Sequence, residues 1–140
     1  MSQALIFGVG PDGKTMIPVK VDADGNLTGA GGGGGGTTAL TRTALLAAAT
    51  ATGAGSAVAD SGRAPSFTAD VSGTGTVSAT VLIQGRNVAS GAWTLLGTIT
   101  LSGSASASDG FASLTRYMEY RANLTAISGT SATVNVAMGS

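Results

Sequence analysis

Apolar and polar residues alternate with period two over much of the second half of the chain. Phe67, Ala69 and Val71 alternate with Thr68 and Asp70, and Val77, Ala79, Val81 and Ile83 with Ser78, Thr80, Leu82 and Gln84. Trp93, Leu95, Ile99 and Leu101 share one phase, with Thr94, Thr98 and Thr100 on the other. Met118, Tyr120, Ala122, Leu124 and Ala126 oppose Tyr117, Glu119, Arg121, Asn123 and Thr125, while Val134, Val136 and Met138 oppose Thr133 and Asn135. Successive strand side chains point to opposite faces of a sheet, so each segment reads as a half-buried strand.

Between these runs lie SGTGT (72–76), GRNVASGA (85–92), SGSASASDG (102–110) and SGTS (128–131), all of turn or loop composition. Strands at this spacing with no helical period between them predict an all-β, antiparallel β-sandwich of jelly-roll or immunoglobulin-like type. Phe67, Trp93, Phe111 and Tyr120 are the bulky members expected in its core. An exposed aromatic on a sandwich face would instead stack on sugars or anchor an interface, but the phase of Trp93 with Leu95, Ile99 and Leu101 places it inside. Arg116, Arg121 and Glu119 are candidates for a cross-strand charge ladder.

The first part of the chain follows a different plan. ALIFGV (4–9) and TMIPVKV (15–21) flank GPDGK, whose Pro-Asp-Gly presets a turn, so residues 1–28 read as an N-terminal β-hairpin arm. Pro18 lacks an amide donor, so its strand sits at an edge or pairs there on one side only. Two strands alone are marginal in water, which requires the hairpin to pack on something else. Residues 29–38 form a glycine-rich linker containing Gly31, Gly32, Gly33, Gly34, Gly35 and Gly36, and residues 39–140 form the sandwich domain. A flexible linker over 29–36 would span roughly 16 Å and at most about 28 Å if stretched. In TTALTRTALLAAATATGAGS, Ala and Leu favour helix while Thr and the following glycines favour extended chain; we read 39–51 as extended.

Composition narrows the function. Lys and Arg number 7, Asp and Glu 7, so no net charge marks a nucleic-acid or anionic-membrane surface. Charged residues are 10% of the chain, against about 25% in ordinary soluble domains, and a surface so poor in charge is weakly protected from association. Cysteine and histidine are absent, which removes disulfides, thiolate chemistry, the commonest zinc ligands and the usual general base. The N-terminus has no basic region before its short apolar run, and no apolar stretch is long enough to cross a membrane as a helix, so neither a signal peptide nor a helical span is expected.

The remaining motifs carry no chemistry. The glycine run lacks the Lys and hydroxyl of a phosphate loop, being followed by Thr37, Thr38 and Ala39. VDADGNL (21–27) has its glycine too early for a calcium loop and reads as an Asp-Gly turn. The carboxylates fall mostly in turns, and a Ser-Lys pair would have to use Lys14 or Lys20 in the arm. No enzyme, cofactor or metal is expected.

VSGTGTVSATVLIQGRN, AWTLLGTITLSG and YRANLTAISGTSATVNVAMG, together with MIPVKVDADGNL in the arm, resemble small structural proteins of tailed bacteriophages, of the capsid decoration or cement family. The resemblance implies a β-sandwich on the exterior of the virion, made in the bacterial cytoplasm, that clamps neighbouring major capsid subunits as a homodimer or homotrimer. Under that reading Leu5, Ile6, Phe7, Met16, Ile17 and Val19 would be the arm's contacts with its partner. The alternative is a head-fibre or tail-associated module that binds a receptor or glycan.

Overall fold

The computed structural model describes residues 39–140 in full and, by their backbone, 6–9, 16–21 and 27–28. Every regular element among these is a strand, and the chain divides into two compact units, Met1–Ala39 and Leu40–Ser140.

In the first unit β1 (Ile6–Val9) pairs antiparallel with β2 (Met16–Val21), with Ile6 opposite Val19 and Phe7 opposite Pro18. β3 (Leu27–Thr28) joins the other side of β2 at Lys20 and Val21, beyond Pro18. Among the described residues the proline is therefore paired on one side only, in keeping with its missing donor. The Pro-Asp-Gly and Asp-Gly turns, Leu5 and the six glycines lie outside the described residues.

The second unit is one antiparallel sheet of order β4-β9-β7-β8. Three strands dominate it: β7 (Ser66–Arg86), β8 (Thr94–Ala112) and β9 (Glu119–Gly139). β4 (Arg42–Ala49) pairs with the last part of β9, and β5 (Gly53–Ala54) and β6 (Val58–Ala59) pair with its first part. The extended reading of 39–51 holds over β4, where the threonines and the tertiary pairing outweigh the helix preference of Ala and Leu.

The sheet folds back on itself. Phe67 lies opposite Met138 at one end of β7, and Gly85 lies opposite Tyr120 at the other end. Along a straight strand those ends would stand about 60 Å apart, yet the rings of Phe67 and Tyr120 have centroids 5.5 Å apart. Only a sharp corner brings them together, and all three long strands turn it at one level. The ladders shift register between Ser72 and Ser78 on β7, with Thr74 opposite Thr130 and Thr76 opposite Ser104. Gly75, Ala105, Gly129 and Ser131 all take positive φ there, the left-handed backbone that glycine adopts most cheaply.

SGTGT, SGSASASDG and SGTS are therefore not loops between strands. They are the corner and its surroundings inside strands that continue through them. The pairing accordingly gives one open antiparallel sheet where alternation and turn composition predict two separate sheets of a sandwich. GRNVASGA does end a strand, since β7 stops at Arg86 and β8 starts at Thr94.

The inner faces of the two halves share one core. Phe67, Val71, Val77, Val81, Ile83, Tyr120, Ala122 and Val134 have no exposed surface, and Ile99, Leu101, Leu124, Val136 and Met138 have almost none. Phe111 packs on Phe67 at 5.5 Å. Burial of each such side chain contributes about 1.5–3 kcal/mol, enough together to hold the corner closed.

Candidate interaction surface

Two bulges decide what faces outward. Ile83 lies opposite Gly97 but Gln84 lies opposite Leu95, so Leu96 is an extra residue in β8. One inserted residue inverts the phase of everything before it. Ile99 and Leu101 stay in the core, whereas Leu95 is 54% exposed and Trp93 moves to the outer face. The core placement read from the phase of Trp93 is thus overturned. In β9, Val81 lies opposite Leu124 and Thr80 opposite Ala126, which makes Thr125 the extra residue. Ala126 turns out and Ile127 packs against the core in its place. Met118, placed with the core by alternation, precedes β9 and is 65% exposed, while Tyr117 packs inward.

On the outer face Trp93 meets two arginines. The guanidinium carbons of Arg86 and Arg121 each lie 4.3 Å from its ring centroid, within range of cation–π attraction. Arg86 Nε donates to Glu119 Oε2 at 2.7 Å, and Arg121 Nε donates to Gln84 Oε1 at 2.9 Å. These are directly opposed cross-strand pairs, Arg86 with Glu119 and Gln84 with Arg121. The ladder expected of Arg121 and Glu119 exists, but its partners are Gln84 and Arg86 on β7. Arg116 belongs to a different group.

That group closes the open end of the folded sheet, opposite the corner. The segment after β8 crosses from one half of the sheet to the other before β9 begins, carrying Tyr117 onto Gly85, where a Cβ would stand 2.6 Å from the tyrosine ring. Asp60, just after β6, receives hydrogen bonds from Arg116 Nη2, from the Gly62 amide at 3.1 Å and from the Tyr120 hydroxyl at 3.4 Å. The same hydroxyl accepts from the Tyr117 amide at 2.9 Å. Burial by itself would raise the Asp60 carboxyl, but the Arg116 hydrogen bond and charge, with the Gly62 amide and the Tyr120 hydroxyl, outweigh it and hold the group below its ordinary value. Burial raises the Tyr120 hydroxyl, and the charge of Asp60 adds to that rise against the Tyr117 amide. Together these bonds tie the crossing segment to the chain after β6 and to β9.

The two edges of the sheet differ. β9's outer side is covered by the interrupted series β4, β5 and β6, with bulges in β4 and a positive φ at Ala48. Asn135 ties that irregular edge down, accepting from the Ala48 amide at 2.8 Å and donating to Asp70 Oδ2 at 2.9 Å. β8, 19 residues long, pairs only with β7 among the described residues.

Among the described residues no group of three acidic, cysteine or histidine side chains is close enough to hold a metal ion, and no helix could cross a membrane; strand-type spans are a separate matter. Ile6, Phe7, Met16, Ile17 and Val19 lie on β1 and β2, where backbone pairing alone is described. The chain matches no family model, no curated protein and no solved structure.

The outward position of Trp93 was written in the sequence, though not in the period that pointed the other way. TLLGTI places two apolar residues side by side, and NLTAIS spaces Leu124 and Ile127 three apart. Both break a period of two, and a break inside one strand is what a bulge looks like in sequence.

Proposed function

We propose that this chain is a structural virion protein that decorates and stabilises a tailed-phage capsid, clamping neighbouring major capsid subunits from the shell's exterior. The observation that carries this reading is the division into two β units, Met1–Ala39 and Leu40–Ser140, with the glycine run falling at the end of the first. A folded-over sheet serves as the body, in the place of a jelly-roll or immunoglobulin-like sandwich. The paired strands β1 and β2 serve as the arm, with Leu5, Ile6, Phe7, Met16, Ile17 and Val19 as its contacts and the glycines as its leash. Apolar burial at about 25 cal/mol per Å² gives even a small arm a useful grip, and repetition over a shell turns modest contacts into avidity.

The test is to compare heat and low-salt resistance of shells assembled without the chain, with it, and with a variant carrying Ile6→Asp and Ile17→Asp. The native chain should protect and the variant should not. Equal resistance of bare and decorated shells would rule out the cement role.

A receptor- or glycan-binding module of a head fibre or tail is the second reading, favoured by the outward position of Trp93 between Arg86 and Arg121. Binding on a glycan array that is lost in Trp93→Ala would select it over the first.

A further inference from the structure

We propose that the outer edge of β8 is a pairing site for β8 of a second copy of this chain, joining the two sheets antiparallel across a two-fold axis. This deepens the homo-oligomeric part of the proposed function and rests on its premise that the domain works by contact. It is tested on purified protein with no shell present, so its failure leaves shell binding standing.

An edge strand presents unpaired amides and carbonyls, and proteins normally blunt it by shortness, bulges, lysine, proline or a covering segment. The β4–β6 edge is blunted in this way, being cut into three pieces with register shifts and a left-handed Ala48. Among the described residues β8 has none of these devices along its first arm past the Leu96 bulge. It contains no lysine, arginine or proline, and its single charge is Asp109. From Gly97 to Gly103 the strand supplies about 20 Å of regular ladder between the bulge and the corner, all of it uncharged.

The lack of charge selects the occupant. Antiparallel self-pairing sets each residue against its own neighbours from the other copy, and like charges placed opposite each other oppose it. Thr98, Thr100 and Ser102, exposed on that arm, meet their own kind without penalty. A charged foreign strand would find no complement there. Leu95, exposed on the same arm, adds apolar contact near the ladder, and two-fold dimers are the commonest way in which identical chains associate.

The experiment is sedimentation equilibrium of the full chain over a range of concentrations, beside a Thr98→Lys/Thr100→Lys variant and a Ser102→Lys variant, with amide exchange of β7 and β8 on each. A dimer of twice 13.4 kDa is expected, with slow exchange along Gly97–Gly103. The lysines should weaken it about ten-fold or more while β7 amides stay protected, which certifies the fold; Ser102→Lys serves if the double variant does not fold. A monomer, a trimer, or a dimer indifferent to these lysines would overturn the proposal. So would a dimer that instead dissociates on Ile6→Asp/Ile17→Asp, since that would assign the contact to the N-terminal strands.

Discussion

Phe111 occupies the space that a side chain on Gly97 would need: a Cβ at Gly97 would lie 2.6 Å from the phenylalanine Cζ. Gly97 pairs with Ile83 and Phe111 with Phe67, so the two residues belong to opposite halves of the folded sheet. The absence of a side chain at one position sets how closely the halves approach.

Gly97→Ala should therefore destabilise the domain by about 1–3 kcal/mol, as overpacking of a filled core does. Phe111→Leu in the same chain should recover part of that loss. Urea unfolding of the two single variants and the double variant gives the coupling, and simple additivity would show that the contact does not govern the spacing.

Trp93 and Phe67 should respond differently to truncation. Phe67→Ala opens a cavity between the halves and should cost about 3–5 kcal/mol, whereas Trp93→Ala removes two cation–π contacts and should cost about 1–2 kcal/mol. As the single tryptophan of the chain, Trp93 also reports on its neighbours. Arg86→Ala and Arg121→Ala should each change its fluorescence without unfolding the protein.

The Asp60 group predicts a dependence on acid. Its carboxyl is held below its ordinary value of 3.8 in the folded state, so its contribution is complete above that value and disappears as pH falls through the lower folded value. Asp60→Asn should lower stability at neutral pH and flatten the acid limb of a stability–pH curve below about pH 4. An unchanged acid limb would show that other carboxylates set it.

Ala105 turns the corner with φ of 66°, a conformation that costs a residue bearing a Cβ about 1–2 kcal/mol. Ala105→Gly should raise stability by about 0.5–1 kcal/mol after glycine's extra chain entropy is set against the relief. Gly75→Ala, at φ of 73°, should do the reverse. Thermal melts of both variants test the corner as the site of strain.

The strands themselves were legible because Phe67 to Val71, Val77 to Ile83 and Val134 to Met138 keep one phase throughout. The corner was not, since Gly, Ser and Thr at 72–76, 102–110 and 128–131 have the composition of a loop whether the chain leaves the sheet or bends within it. What separates the two outcomes is pairing to residues far along the chain, such as Thr74 with Thr130, and local composition carries no record of that. Trp93 was misplaced for a related reason: a period can be counted accurately and still be inverted by one bulge at Leu96. The Asp60, Arg116 and Tyr120 group depends on residues 56 and 60 positions apart in the chain, and no spacing rule announces it.

Because every long strand runs through the corner, neither half of the sheet is made by a separate stretch of chain. Ser66 and Arg86 end the same strand, and their β9 partners Gly139 and Glu119 end another. Opening one half would strip the shared core from the inner face of the other, and a single cut in one long strand leaves the halves joined through the other two. Such a body is expected to yield in a single cooperative step, keeping its full shape up to the point at which it loses all of it.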